Sequence, residues 1–140
     1  MNVNDKRVSV CGICFLQTNN TDIQNVPGDK TIRLSGDWIE INISSGEWKE
    51  ELKKLGEPVE QELKAVVTDT SFNNELKLRD LFSKDGLVLL KLTNGDKKVV
   101  GSDEFPIYVS MERSGEPAKI TLSFKRSSPE PAKILGPFKR

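Results

Sequence analysis

Two cysteines three positions apart are the first residues in this chain that could carry chemistry. Cys11 and Cys14 form a Cys-x-x-Cys pattern, which oxidoreductases use as a redox pair and zinc sites use as half of a ligand set. A redox pair of this kind needs a strand before it and a helix that opens at the second cysteine. The residues after Cys14, FLQTNNTD, offer too few apolar positions for that helix.

The geometry of a plain strand also separates the two thiols. Residues three apart on a strand point to opposite faces, so the sulfurs can meet only if a bulge at Gly12 resets the phase. A zinc ion would need two further ligands, and the chain has no other cysteine and no histidine. The pattern therefore favours buried structural thiols, with a redox or metal role as the alternative.

The carboxylates of Glu57, Glu60 and Glu62 are the second candidate group, for general acid–base catalysis. No partner motif or glycine loop flanks them, which is typical of a solvated face. The absence of histidine removes Ser-His-Asp and Cys-His catalysis as well. We therefore expect a protein that is not an enzyme, with no catalytic residues, no metal site and no cofactor.

Charge and hydropathy restrict the partners. Lys plus Arg and Asp plus Glu number 21 each, whereas nucleic-acid binders usually carry a basic excess, so we expect no nucleic-acid partner. No apolar run approaches the roughly 20 residues that span a bilayer, and no signal-peptide cleavage pattern follows the first residues. We expect an intracellular protein without membrane contact. Zero net charge also suits a subunit that associates with other proteins.

The clearest structural signal lies in residues 87–126, which predict consecutive antiparallel strands joined by tight turns. Residues 87–92 are almost continuously apolar, as in a strand covered on both faces, and another subunit could supply one of those covers. Asn94-Gly95 predicts a hairpin turn. Apolar and polar residues then alternate in two further predicted strands, at residues 107–112 and 119–125, with a turn at residues 113–117 between them.

Upstream residues predict further strands and one helix. Ser44 and Glu47 match a capping box. An apolar stripe of Trp48, Leu52 and Leu55 follows, which predicts a short helix that ends at Gly56. Residues 72–86 fit either a helix or a brief strand before a turn. The remaining segments are predicted strands at residues 8–17, 31–34, 37–43 and 59–69, and a polar loop at residues 18–30.

These elements predict a mainly β (α+β) fold, namely an antiparallel sheet forming a sandwich or barrel-like domain with one or two short helices. We expect residues 1–7 to be an N-terminal arm and residues 8–128 to be a single β-rich domain. Residues 129–140 should be an extended C-terminal arm, because each of their three prolines removes a backbone donor and opposes a regular element.

Four apolar residues are candidates for an interface with another protein: Trp38, Ile134, Leu135 and Phe138. Alternation along its strand places Trp38 on the outer face beside Glu40, where tryptophans often anchor contacts. The alternative is a tryptophan that covers a sheet edge. An extended arm with spaced apolar anchors suits contact with a neighbouring chain, and the alternative is an arm folded onto its own domain.

Residues 91–124 contain a strand ending in Leu92-Thr93, the Asn94-Gly95 hairpin, Val100-Gly101 and an acidic-aromatic-proline step, Glu104-Phe105-Pro106. This segment resembles one found in small β-rich virion structural proteins of tailed phages and prophages. The resemblance implies a subunit of a neck, tail or connector ring, assembled in the host cytoplasm, that contacts copies of itself and other virion proteins. It implies no catalytic residues.

Three functions follow from the sequence. The first is a non-enzymatic structural subunit of a larger assembly, which acts by packing against other subunits. The resemblance implies that this assembly is a phage virion. The second is a single-copy protein-binding module that uses residues 18–30 or a sheet edge. The third is a small enzyme or redox protein that uses Cys11 and Cys14.

Overall fold

The chain forms short strands and one helix in the part that the structure describes. The computed structural model describes residues 7–18, 22–25, 30–36, 38–51, 58–102, 106–115, 119–129 and 131–136. The elements, in chain order, are β1 Arg7–Gln17, β2 Asp22–Asn25, β3 Thr31–Ser35, β4 Ile39–Ile41, β5 Ile43–Glu51, β6 Val59–Val67, α1 Phe72–Leu81, β7 Gly86–Leu92, β8 Lys97–Val100, β9 Ser110–Ser114, β10 Lys119–Ser128 and β11 Lys133–Gly136.

The eleven described strands belong to one open, mixed sheet. Its order is β2-β3-β11-β8-β7-β1-β5-β6-β10-β9, and β4 is an additional partner of β1. The pairing of β11 with β3 is parallel, and the other pairings of named strands are antiparallel. The predicted class, mainly β and sandwich-like with a short helix, is confirmed.

Strand β1 lies where the two halves of the sheet meet. Its first residues, 7–9, pair with β5, and residues 13–15 pair with β4. Its longer portion, residues 10–17, pairs with β7. One strand therefore joins a half made of β5, β6, β10 and β9 to a half made of β7, β8, β11, β3 and β2.

Apolar side chains are buried on both sides of the central strands. In β7, Val88, Leu90 and Leu92 face the larger core, whereas Leu87 and Leu89 face the smaller one. The prediction of a strand covered on both faces is confirmed, and both covers come from the same chain. The larger core also takes residues from β5, β6, β10 and α1. The smaller core consists of Cys14, Leu16, Ile32, Leu34, Leu87, Leu89 and Val99.

Strands with a clean two-residue period form where the sequence predicts them. In β6, Val59, Gln61, Leu63, Ala65 and Val67 are all buried, and the intervening residues are more exposed. In β10, Ile120, Leu122 and Phe124 are buried in the same way. Alternation defines these strands because a half-buried strand presents every second side chain to the core.

The helix predicted over residues 44–56 is wrong for the residues that the structure describes, since residues 43–51 form β5. Each residue from Ser45 to Glu51 has a partner on β6, and residues 47–49 pair with β1 on the other side. Ser44 Oγ donates to the Val66 carbonyl at 3.3 Å instead of capping a helix. An isolated short helix is marginal in water, so ladders on two sides override the local capping signal. Leu52, Leu55 and Gly56 lie outside the described residues.

Helix α1 resolves the ambiguity of residues 72–86. Ser71 is its N-cap, and its side-chain oxygen accepts a hydrogen bond from the Asn74 backbone N–H at 3.3 Å. Leu78 and Leu81 enter the larger core from one side of the helix. Among the described residues no helix has the length and apolar character that crossing a membrane requires.

The predicted run of consecutive neighbouring strands over residues 87–126 divides into two hairpins. β7 pairs with β8 through the Asn94-Gly95 turn, as predicted, and Gly95 takes the positive φ of 96°. β9 pairs with β10 at the other end of the sheet. β8 and β9 are not neighbours, because β8 pairs with β11 and β10 pairs with β6. The turn predicted at residues 113–117 begins later, since β9 continues to Ser114.

Two segments that were expected to lack regular structure contain strands. Within residues 18–30, β2 forms a hairpin with β3. In the proline-containing ending, β11 inserts between β3 and β8 of its own sheet. The expectation of no regular element there is wrong, because Pro129 and Pro131 precede β11 and leave the N–H groups of residues 133–136 available. Phe138 lies outside the described residues.

Candidate functional site

The cysteine pair sits on a β-bulge. Val10 pairs with Leu92 and Gly12 pairs with Lys91, so Cys11 is the extra residue of β1. Cys11 is exposed, and its Sγ donates to the Lys91 carbonyl at 3.2 Å. Cys14 is buried in the smaller core, and both thiols are free. The prediction of buried structural thiols is therefore right for Cys14 and wrong for Cys11.

The environment of Cys14 disfavours nucleophilic chemistry. Burial is the main cause that raises the pKa of this thiol, with the Glu40 carboxylate adding to the rise and the ammonium groups of Lys91 and Lys97 opposing it. A raised pKa leaves less thiolate, which is the reactive form. Lys91 and Glu40 form an ion pair at 3.7 Å beside the thiol. In the part of the chain that is described, no group of three or more His, Cys, Asp or Glu residues could hold a metal ion.

A partly buried polar row, with Gln61 as its buried centre, crosses the inner face of the other half of the sheet. Gln61 Nε2 donates to Glu50 Oε2 at 2.9 Å, and Arg126 Nε donates to Gln61 Oε1 at 3.1 Å. Arg126 also donates to the Pro106 carbonyl at 3.3 Å. Burial lowers the pKa of Arg126. Because each of these polar groups contacts others of the chain, the row binds β5, β6 and β10 together and has the character of a structural network.

One cavity next to this row, at its Arg126 end, is too small for an organic ligand. It has a volume of about 20 Å³ and is lined by Arg126, Ser128 and Lys133 together with residues of β2, β8 and the segment before β11. A volume of roughly 10–15 Å³ is what one water molecule needs. This cavity therefore suits a water molecule and gives no support to a substrate site.

Large apolar side chains on the surface provide a stronger candidate. Phe72 is 68% exposed and Leu76 is 48% exposed, and they lie one turn apart on α1, on the face opposite Leu78 and Leu81. The sequence left residues 72–86 open between a helix and a strand, so this pair was not identified as one face of a helix. The i, i+4 spacing of Phe72 and Leu76 after the Ser71 N-cap was the available signal.

An ion pair fixes the helix that carries this pair. Glu75 is buried, and Arg113 Nη1 of β9 lies 2.8 Å from its Oε1. Arg113 also donates to the Thr70 carbonyl, at 3.2 Å, just before the helix. Strand β9 and helix α1 are thus tied together, so the orientation of Phe72 and Leu76 is set by the sheet. We call Phe72 and Leu76 the helix patch.

The predicted interface residues are distributed differently. Trp38 is half-buried and packs on the smaller core, while Ile39, the next residue, is 42% exposed. Ile134 on β11 is 58% exposed. The backbone of Leu135 pairs with Ile32 of β3, a residue of the core that Trp38 covers, so these two candidates lie near the same strand. Phe138 is outside the described residues.

Comparison with known proteins gives no relative: no family model, no curated protein and no solved structure matches this chain.

Proposed function

We propose that this chain is a non-enzymatic structural subunit of a larger assembly, a virion component of a tailed phage such as part of a neck, tail or connector ring. The resemblance of residues 91–124 to virion structural proteins supports the phage context. The equal numbers of basic and acidic residues support association, because no net repulsion opposes contact between copies.

The observation that carries the proposal is the helix patch. Two large apolar side chains are exposed side by side on a helix that Arg113 holds against the sheet. Burying an exposed Phe or Leu side chain contributes about 1.5–3 kcal/mol, so the pair supplies an anchor for a protein contact. When such a patch contacts a different surface of the next copy, rotational symmetry repeats the contact and closes a ring.

Native mass spectrometry and light scattering of the full chain test this proposal. We expect a defined oligomer, or a complex with co-expressed particle proteins, that dissociates in the Phe72→Ser/Leu76→Ser double variant. Both side chains are exposed, so the variant should keep the circular dichroism spectrum and stability of the parent. Asn73→Ser/Lys77→Ser, which changes exposed polar residues of the same helix, is the matched control and should leave assembly intact.

Two results would contradict the proposal. One is a chain that stays monomeric at high concentration and is absent from purified particles. The other is an assembly that the double variant leaves unchanged. A single copy bound to one partner, without higher-order assembly, would instead identify a protein-binding module.

A further inference from the structure

Strand β11 lies between β3 and β8 and runs parallel to one of them and antiparallel to the other. We call the space between β3 and β8 that β11 fills the slot. Within the described sheet, β11 makes the one parallel pairing of named strands, with β3, and it pairs antiparallel with β8. The Ile134 N–H donates to the Lys30 carbonyl at 2.9 Å, at the start of this contact. Without β11, the facing edges of β3 and β8 would expose unpaired backbone groups.

Side-chain contacts make the slot specific for this segment. Lys133 is 6% exposed, and its Nζ donates to Asn25 Oδ1 of β2 at 2.5 Å. The Ala132 N–H donates to Glu50 Oε2 of β5 at 2.8 Å. Two successive residues are therefore recognised by polar groups from other strands, in addition to the backbone ladder.

The attachment of β11 is short, and its linker is stiff. β11 has two register pairs with β8 and three with β3. Four residues, 129–132, connect it to β10, and Pro129 and Pro131 are among them. Proline fixes φ and favours extended backbone before it, so two prolines among four residues oppose a tight turn between β10 and β11. Withdrawing β11 would separate the β2–β3 hairpin from β8, because β11 is the strand that links them, and it would leave the pairings from β8 through β7, β1, β5, β6 and β10 to β9 in place.

We propose that the slot between β3 and β8 is a strand-acceptor site for residues 133–136 of a second copy, so that neighbouring subunits exchange β11. The acceptor groups on Asn25, Glu50 and Lys30 lie outside β11, so β11 of another copy, with the Ala132 that precedes it, would make the same contacts. Reciprocal exchange gives a dimer, whereas exchange in one direction gives a ring or a filament.

This inference rests on the proposed function, because subunits must first be held close together. A chain's own strand competes at the millimolar effective concentration of a short linker, and the four-residue linker reaches at most about 14 Å. The surface contacts of an assembly, including the helix patch, would bring the end of β10 in one copy near the slot of the next.

Disulfide trapping between separately labelled copies tests the exchange. Ile134 and Lys98 are antiparallel partners, and such pairs have Cα separations of about 4.5–5.5 Å, within the range that a disulfide bridges. In a Cys11→Ser/Cys14→Ala background, one chain carries Ile134→Cys and the other carries Lys98→Cys. The two are unfolded together, refolded, assembled and oxidised. Non-reducing denaturing electrophoresis then measures the mixed dimer, which needs the strand of one copy in the slot of the other.

A third chain carrying Lys125→Cys, on an exposed position of β10, is the control for random collision. We expect the Ile134→Cys and Lys98→Cys pair to give a mixed dimer far above that control. Assembly by native mass with no mixed dimer above the control would overturn strand exchange and leave the proposed function standing. A monomeric sample, in which an Ile134→Cys/Lys98→Cys double variant closes its disulfide within one chain, would overturn both.

Discussion

Gln61 and Arg126 face each other across β6 and β10, and the Arg126 Nε donates to the Gln61 side-chain oxygen at 3.1 Å. The other end of the same amide donates to Glu50 on the opposite side, so one buried side chain satisfies a guanidinium and a carboxylate together. Gln61 is 2% exposed at a position of β6 where Val59 and Leu63, its neighbours on the same face, are apolar. The polar row thus replaces apolar packing at one level of the larger core.

Replacing the Gln61 side chain should destabilise the fold strongly. In Gln61→Leu, the partly buried Glu50 and Arg126 each lose one of their hydrogen-bond partners, and each loss costs about 1–3 kcal/mol. We expect the free energy of unfolding, measured by urea denaturation, to fall by about 2–4 kcal/mol. Lys64→Leu changes an exposed residue of the same strand and should stay within about 0.5 kcal/mol of the parent. Equal stability of the two variants would show that the row contributes nothing.

Gly86 is required by close packing at the start of β7. A Cβ there would lie 2.3 Å from the Leu16 carbonyl oxygen and 2.6 Å from the Phe15 ring, and backbone cannot move aside as a flexible side chain can. We expect Gly86→Ala to lower the free energy of unfolding by about 3 kcal/mol or more, since overpacking alone typically costs 1–3 kcal/mol. In Gly12→Ala the nearest atom is the Lys91 Cδ at 3.3 Å, so this control should be tolerated. Similar melting temperatures for both variants would refute the close-packing account.

The buried thiol predicts a loss of stability at alkaline pH. Burial raises the pKa of Cys14 in the folded protein above its value of about 8.5 in an unfolded chain. Between the two values the unfolded state releases a proton that the folded state retains, so this contribution is complete below the unfolded pKa and declines as pH rises through the folded pKa. The stability difference between the parent and Cys14→Ala, measured under reducing conditions, should therefore shrink as the pH rises above the unfolded-state pKa of about 8.5.

Leu16→Ala is the control for that titration, because Leu16 lies on the same strand and in the same core but carries no proton. Its destabilisation should stay constant over the same pH range. A constant difference for Cys14→Ala would mean that the thiol does not titrate differently in the two states.

The Arg113–Glu75 ion pair, which joins β9 to α1, should contribute more stability than the Arg79–Glu75 ion pair within α1. Arg113→Ala removes the 2.8 Å partner of the buried Glu75 carboxylate, and we expect a loss of about 1–3 kcal/mol. Arg79 lies 3.6 Å from the same carboxylate, but its side chain is 63% exposed, so Arg79→Ala should cost less than about 0.5 kcal/mol. Thermal denaturation of both variants distinguishes the two, and the reverse order of stability would contradict this assignment.

Sequence reasoning succeeded where the pattern is local. The alternation in β6 and β10, the double-sided apolar run of β7 and the Asn94-Gly95 turn each identify their element without knowledge of any other segment. Each pattern reports how one strand meets the core or how two adjacent strands connect. These signals were sufficient for the fold class.

Failures arose where distant segments decide the structure. Residues 43–51 carry a helix-capping signal, yet β1 and β6 capture them as a strand from both sides. The hairpins β7–β8 and β9–β10 are not adjacent, because β11 pairs with β8 and β6 pairs with β10. No local residue spacing reveals these pairings. At the candidate interface, Ile134 is exposed and its role in a contact stays a prediction, whereas the helix patch depends on which side of α1 the sheet covers.

The central position of β1 has a consequence for synthesis of the chain. β1 is the first described strand, and its partners are β4, β5 and β7, the last of which ends at Leu92. At roughly 5–20 residues per second, a ribosome needs several seconds after making β1 to deliver β7. For that time an apolar strand has an unpaired edge, which is the condition that favours aggregation of nascent chains. A cell that synthesises this protein would therefore gain most yield from chaperones that bind before residue 92 emerges, and least from those that act on the finished sheet.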